Sequence, residues 1–463
     1  MNNGEHLHNR PLTPHSKQMI DKLRTALAGS SFVRNVVTLM TGTLLAQIIT
    51  IIVAPILTRI YSPADYGALA LYSSIISILA VISCGRYEIA IVIPDKEEEA
   101  CSLFVLSLIL GAIIGLVLFV VMLVCRRWIP IWFPSQISNN IWIWLIPINV
   151  ILMSLFQTLT YWNIRSKEYR RLAKRQVNQS ISTATSQIFL AIFKLGERGL
   201  IFGNFIGQFI ATSVLFWQTG KKNWADIRKE ANKKSIYCVM HKFRKFPLYD
   251  SWPSLLDSLT LAMPILFFTY FYGTSESGQL ALTLKILAIP SALIGASVSQ
   301  VYFQKLAAAK NEGLKLSAIV EPTFIGLLGI GISFCLAVVF LAPPLFPIIF
   351  GSNWVVSGKF AKILAPALAL RFIVSPLSSA FAVLNRLELI AIWKVIAATC
   401  TAAALLISTY FNNPNTSVLF LMINDLLIYS LYLALIFKIS NSSIIHSITY
   451  SYKEINRFIH YKK

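Results

Sequence analysis

Charged residues are scarce in this chain: 13% of its 463 residues are Asp, Glu, Lys or Arg, against roughly 25% in an average soluble domain. Acidic residues are the scarcest, 20 against 41 Lys and Arg. A soluble chain of this length would divide into two or three domains joined by polar linkers. Here apolar stretches longer than about 18 residues recur from end to end instead. With 56% hydrophobic residues and a mean hydropathy of +0.65, the bilayer rather than water is the main solvent that the pattern implies.

Other absences narrow the chemistry. There is no CxxC pair: Cys84, Cys101, Cys335 and Cys400 fall in or beside apolar spans, as core residues do, and Cys125 and Cys238 fall in loops expected on opposite sides. Neither a disulfide framework nor a zinc site is indicated. No GxxxxGK[ST] phosphate loop is present, so ATP hydrolysis by this chain is not expected and no cofactor is implied. The net charge of +21 is not arranged as a basic stripe interleaved with aromatics, and no nucleic-acid-binding motif accompanies it, so no nucleic-acid partner is expected. The basic first 33 residues lead into a span too long for a signal-peptide core, without a convincing small-residue cleavage site, and no cleaved signal is expected. Within them Met19, Ile20, Leu23 and Leu27 repeat at helical spacing opposite Lys17, Asp21 and Arg24, which suits a short helix on the membrane surface.

What is there is a succession of apolar spans, at roughly 34–60, 65–94, 98–124, 137–163, 170–193, 198–219, 250–272, 277–305, 317–342, 355–384, 389–410 and 416–437. With both termini inside, 30 of the 41 Lys and Arg fall on inside segments and 7 on outside loops, as the positive-inside rule requires. The basic inside segment 220–249 divides the chain into halves of six spans, 34–219 and 250–437, with a basic tail at 438–463. A short repeat links the halves: Pro55-Ile-Leu before Gly67-Ala-Leu-Ala-Leu, and Pro264-Ile-Leu before Gly278-Gln-Leu-Ala-Leu. Ser62 is placed to cap the second helix with Pro63 at its first position, and Pro94-Asp95 to end that helix and open the next. The expectation is an all-α integral membrane protein of about twelve transmembrane helices in two pseudo-symmetric six-helix lobes, both termini in the cytoplasm.

Ionisable side chains inside a bilayer cost about 2.5 to 3.5 kcal/mol each on insertion scales, so those present face a partner or a wet cavity. Counting along the spans puts Arg371 and Asp425 near the midplane, Lys285 in the outer third, Asp257 and Lys394 in the inner third, and Arg86 and Glu88 near the cytoplasmic surface. Arg371, Ser375, Ser378 and Ser379 share a helical face, as do Asp250, Ser254 and Asp257, and as do Asn178, Ser182, Thr185 and Ser186. These stripes suggest a central hydrophilic cavity. Two readings stand side by side: Arg371 and Asp425 neutralise each other while Lys394 and Arg86 reach for the interface as anchors, or the cations bind a phosphate of an anionic substrate. Asp257 and Asp425 are the candidates for coupling transport to a proton or sodium ion.

Several strings resemble one family. They are Leu57-Thr-Arg-Ile-Tyr-Ser-Pro-Ala-Asp-Tyr-Gly67, Gly85-Arg-Tyr-Glu88, Phe243-Arg-Lys-Phe-Pro-Leu-Tyr-Asp-Ser251, Phe350-Gly-Ser-Asn-Trp354 and Ser375-Pro-Leu-Ser378. Together they look like the polysaccharide-transport flippases of the multidrug, oligosaccharidyl-lipid and polysaccharide (MOP) exporter superfamily, over essentially residues 33–440. The resemblance implies a MATE-like fold and a bacterial inner-membrane flippase moving undecaprenyl-diphosphate-linked oligosaccharide repeat units, for O-antigen or capsule, to the periplasmic leaflet. It implies alternating access around a cationic cavity, which carries over here to Arg86, Lys285, Arg371 and Lys394, and company with a polysaccharide polymerase and chain-length regulator.

Three other transporter classes share the two-lobe pattern: a cation-coupled drug exporter, a lipid-linked peptidoglycan-precursor flippase and a teichoic-acid exporter. The rival of a different kind is a membrane polymerase or glycosyltransferase. Against it, the longest outside loops, about 125–136 and 343–354, contain no Asp, Glu or His for acid–base work, and a non-enzyme is expected.

Overall fold

In the computed structural model, residues 31–128, 141–230 and 232–443 are described. The surface helix expected around Met19–Leu27, most of the tail 438–463 and part of the loop 125–136 lie outside them. The described residues form helices and turns and no strands. The principal helices are α1 (Ser31–Ile60), α2 (Pro63–Ser83), α3 (Tyr87–Ala90), α4 (Glu97–Val124), α5 (Leu145–Arg165), α6 (Tyr169–Ala191), α7 (Glu197–Glu230) and α8 (Lys233–Lys242). They continue as α9 (Ser251–Pro290), α10 (Ala296–Asn311), α11 (Ser317–Phe350), α12 (Val355–Leu377), α13 (Ser379–Val383), α14 (Leu387–Ser408) and α15 (Pro414–Ile439).

Ten helices among the described residues are long and apolar enough to cross a membrane. The two missing from the expected twelve have local explanations. The fifth expected span exists as α6, but its Lys, Arg, Gln, Ser and Thr side chains make it too polar to qualify by composition. The seventh and eighth run together as α9, whose backbone leaves the helical region only at Gly273, at φ 86°, a value an L side chain rarely tolerates.

Local chemistry sets the other boundaries. At the start of α2, Asp65 N–H donates to the Ser62 hydroxyl and the Ser62 N–H to the Asp65 carboxylate, with Pro63 at the first helical position. The second span was expected to run to 94, yet α2 ends at Ser83 because Gly85 and Arg86 both take positive φ, 57° and 61°. α4 opens on Glu97, Glu98 and Glu99, where the helix dipole favours acidic side chains. Along α4, Ile113, Leu116, Val117, Val120 and Val124 are exposed, an apolar surface that suits lipid. The basic segment 220–249 is not a bare loop: α7 runs into it, and α8 packs on α4, with Ser102 hydroxyl bonded to Ser235 at 2.9 Å and Lys242 paired with Glu99 at 2.6 Å. Among the six free cysteines, Cys84 and Cys101 are buried and Cys335 is half-buried as core residues should be, but Cys400 is exposed and Cys238 sits on α8 rather than in a loop.

Separate apolar cores form in the two halves, one around Phe104, Leu159 and Trp162, the other around Phe372, Phe381 and Tyr432. A third joins them, with Ala54, Leu57, Tyr61 and Tyr66 against Leu282, Leu287, Phe346 and Trp354. At this junction the Trp354 indole N–H donates to the Thr58 carbonyl at 2.9 Å and the ring meets Tyr66 edge-on at 5.0 Å. Nearby, Arg59 donates to the Ile348 carbonyl at 3.2 Å. Gly67 and Gly278 let α2 and α9 come together: a Cβ at Gly67 would strike the Thr274 carbonyl, and one at Gly278 the Pro63 carbonyl. The two halves therefore seal one end of the molecule.

Candidate functional site: two adjoining cavities behind a closed end

Two cavities lie between the helices beyond that seal. The first, about 440 Å³, is walled by α1, α2, α6, α7 and α9, and the second, about 600 Å³, by α9, α12, α14 and α15. Ala288 lines both. On α9 the lining residues Lys285 and Ala288 follow Gly278 by two to three turns, about 10 to 15 Å at 1.5 Å per residue. On α1 the lining residues Leu57, Ala54, Val53, Thr50 and Gln47 recede in order from the sealed Thr58 end. Both helices thus carry the cavity walls away from the closed end.

The second cavity gathers four of the seven ionisable residues singled out from the sequence: Asp257, Arg371, Lys394 and Asp425. Lys394 Nζ lies 3.4 Å from the Asp257 carboxylate, with both side chains partly exposed. That places Lys394 in the cavity wall rather than at an interfacial anchor position. Arg371 and Asp425 do not form an ion pair within 4 Å; the guanidinium instead stands 5.8 Å from the Tyr429 ring centroid, and the Asn424 amide donates to Asp425 at 3.4 Å. Mutual neutralisation of Arg371 and Asp425 by direct contact is therefore not what is found. Ser375 lines the same cavity as Arg371, but α12 ends at Leu377, so Ser378 and Ser379 spend their hydroxyls on the Ser375 and Pro376 carbonyls.

Lys285 projects into the first cavity, where it is exposed, and no carboxylate lines that cavity. The rest of its polar lining is uncharged: Gln47, Thr50, Gln179, Ser180, Thr183, Gln187 and Asn204. The face of α6 that meets the cavity is therefore Gln179, Ser180, Thr183 and Gln187, rotated by one residue from the stripe Asn178, Ser182, Thr185 and Ser186 read from the sequence. Thr185 is exposed and bonds back to the Ile181 carbonyl.

Arg86 lines neither cavity. It bonds to Asp250 at 2.7 Å and approaches Glu88 at 3.6 Å, so Asp250 also leaves the stripe it was assigned with Asp257. Glu88 is buried with neither carboxylate oxygen hydrogen-bonded. It lies on α3, outside the spanning helices, and burial pushes its carboxyl up to about 7 against the pull of Arg86. The neighbouring Tyr87 hydroxyl donates to the Met240 carbonyl of α8 at 3.0 Å.

One ionised residue escaped the sequence reading. Arg175, counted with the inside segments, is buried on α6, its guanidinium 3.4 Å from the Phe156 ring centroid and bonded to the Gln208 amide oxygen at 3.2 Å. The signal was its place one turn before Gln179 on a helix whose other basic residues, Arg170, Arg171 and Lys174, cluster at the start.

A family profile described as "Polysaccharide biosynthesis protein" matches residues 56–359. No curated protein sequence matches the chain. Among solved structures, the lipid II flippase MurJ in an inward closed conformation superposes with a TM-score of 0.68 at 12% identity, covering 90% of this chain and 92% of that one. An inward-facing multidrug resistance MATE family transporter of the MOP superfamily gives 0.65 at 15% identity, over 87% and 96%. An outward-facing member of the same family gives 0.56 at 13% identity, over 88% and 96%. The fold is thus that of the MATE and MurJ transporters, and the chain, a multi-pass membrane protein, belongs to the polysaccharide biosynthesis protein family.

Proposed function

We propose that this protein is a flippase that carries the headgroup of an undecaprenyl-diphosphate-linked oligosaccharide, an O-antigen or capsule repeat unit, from the cytoplasmic to the periplasmic leaflet of a bacterial inner membrane. A diphosphate-sugar headgroup cannot cross hydrocarbon unaided, whereas its polyprenyl tail can stay in lipid. What the task needs is a polar chamber that opens to one side at a time. The observation that carries the reading is the pair of adjoining cavities behind the seal at Gly67 and Gly278. With the sealed end taken as periplasmic, as the distribution of Lys and Arg favours, the chamber faces the cytoplasm, where the substrate is assembled.

The cavity charges favour an anionic headgroup over a cationic drug. Three cations, Lys285, Arg371 and Lys394, face two carboxylates, Asp257 and Asp425, and only the Lys394–Asp257 contact falls within ion-pair distance. Lys285 and Arg371 are then the cations left to hold the diphosphate, the lysine as a point charge and the arginine by paired donors. Asp257 and Asp425 are the groups through which a proton or sodium ion would drive the cycle. Arg86 belongs in this reading to the scaffold, since Asp250 and Glu88 already occupy it.

Deletion of the gene, with complementation, tests the proposal. Loss of surface polymer with lipid-linked repeat units trapped on the cytoplasmic leaflet, restored by the wild-type gene, is the expected result. Normal polymer in a host with no second flippase would overturn the assignment and favour a small-molecule exporter.

A further inference from the structure

The two cavities differ in chemistry, and the difference assigns parts of the substrate to them. Hydrogen bonds to the protein hold the two α6 glutamines that line the first cavity. Gln179 gives its amide N–H to the Gln208 oxygen, which also accepts from Arg175 at 3.2 Å. Gln187 gives its amide N–H to the Leu200 carbonyl at 3.1 Å. In both residues one of the two amide N–H groups is committed and no described group donates to the carbonyl oxygen, so that oxygen is an acceptor left for a ligand. Arg175 acts here as a positioning residue: by fixing the Gln208 oxygen, it orients Gln179.

Beside these two acceptors stand Ser180, Thr183, Gln47 and Asn204, whose side chains bond to no other described residue. Their hydroxyls and amides both donate and accept. Such a wall suits a ligand rich in hydroxyl donors. It suits a phosphate less well, because phosphate oxygens accept only and would leave the two glutamine carbonyls without a donor. It does not suit a cation, because no carboxylate lines this cavity. The cation Lys285 stands where the first cavity adjoins the second across Ala288.

We infer that the first cavity is the saccharide site of the headgroup, with Gln179, Gln187 and Asn204 as its specificity-determining contacts, while the diphosphate lies at Lys285 and Arg371. The inference rests on the flippase reading above and goes beyond it by separating sugar recognition from phosphate recognition. A site built to bond hydroxyls rejects ligands lacking them far more strongly than an apolar pocket discriminates by size. The α6–α7 wall would therefore decide which repeat unit is carried.

The test compares two lipids bound to the purified, detergent-solubilised full chain: undecaprenyl diphosphate bearing the host's repeat unit, and the same lipid stripped of its sugars. The Gln179→Leu/Asn204→Leu double variant is expected to lose about tenfold or more in affinity for the sugar-bearing lipid, with the stripped lipid bound as by wild type. Lys285→Ala is expected to weaken both. Stripped-lipid binding serves as the control for folding, and Gln179→Leu alone, expected to lose less, serves if the double variant fails it. Equal affinity of wild type and variant for the sugar-bearing lipid would overturn the inference and leave the flippase reading in place. Failure of wild type to bind either lipid would overturn that reading itself.

Discussion

Gly67 and Gly278, 211 positions apart and equivalent in the short internal repeat, lie against each other where the two halves meet: a Cβ built on Gly278 would stand 2.8 Å from the Gly67 nitrogen. The repeat thus records a contact as well as a duplication. Each glycine permits the backbone of the other half to approach, so the seal needs both.

A side chain at either position should hold that end open. Gly278→Val must displace the Pro63 carbonyl, which is backbone and cannot swing aside. Overpacking of this kind costs roughly 1 to 3 kcal/mol, enough to move a two-state equilibrium about 5- to 150-fold. In a background lacking the six native cysteines, a cysteine at Thr274 should label slowly with a membrane-impermeant thiol reagent from the periplasmic side and several-fold faster once Gly278→Val is added. Unchanged labelling would mean that the seal tolerates a side chain.

Much of this fold can be read from the sequence because hydropathy and turn chemistry are local. The cap Ser62-Pro63 and the repeat around Gly67 and Gly278 were both visible as residue patterns. The break at Gly273 was hidden because the apolar run continues through it. Spacing places Arg371 and Asp425 near the midplane and Asp257 and Lys394 in the inner third, but which of them pair depends on helix rotation. The same limitation shifted the cavity face of α6 by one residue, about 100° of rotation. Arg86 falls inside an expected span because the positive φ at Gly85 and at Arg86 itself leaves no mark in composition.

Glu88 should make stability depend on pH. Its carboxyl is raised from 4.5 to about 7 by burial, so between these values the folded protein holds a proton that the unfolded chain has released. Stability from this group is then greatest below pH 4.5, falls as pH rises and levels off above 7, by about 3 kcal/mol in total. Glu88→Gln should match wild type near pH 4.5, be more stable at pH 8, and flatten the thermal-unfolding profile between them. A variant less stable than wild type at pH 8 would show that the charged carboxylate, through Arg86, stabilises the fold after all.

The carboxylates of the second cavity make a separate prediction. Asp257 already has Lys394 at 3.4 Å, whereas Asp425 has the Asn424 amide and no cation within 4 Å. Asp425→Asn should therefore abolish the dependence of transport on an ion gradient while substrate still binds. Asp257→Asn should also release Lys394 and tighten binding of undecaprenyl diphosphate a few-fold. Gradient-driven flipping in proteoliposomes, with sodium and proton gradients imposed separately, measures the first effect. Flipping by Asp425→Asn with its gradient dependence intact would remove this residue from the coupling role.

Arg371 gives the sharpest comparison, because its guanidinium has an aromatic ring beside it, Tyr429 at 5.8 Å, and no carboxylate within 4 Å. Charge-assisted bonds to a phosphate contribute about 1.5 to 3 kcal/mol, and the planar fork of arginine can make two at once. Arg371→Ala should then weaken binding of undecaprenyl diphosphate by roughly 10- to 150-fold, and its gene should fail to restore surface polymer in the deletion strain. Arg371→Lys keeps the charge but loses the fork and the planar face turned to Tyr429, so it should fall between. If lysine served as well as arginine, charge alone would be what the diphosphate requires there. If alanine restored normal polymer, Lys285, exposed in the adjoining cavity without a carboxylate, would be left as the cation that holds the substrate.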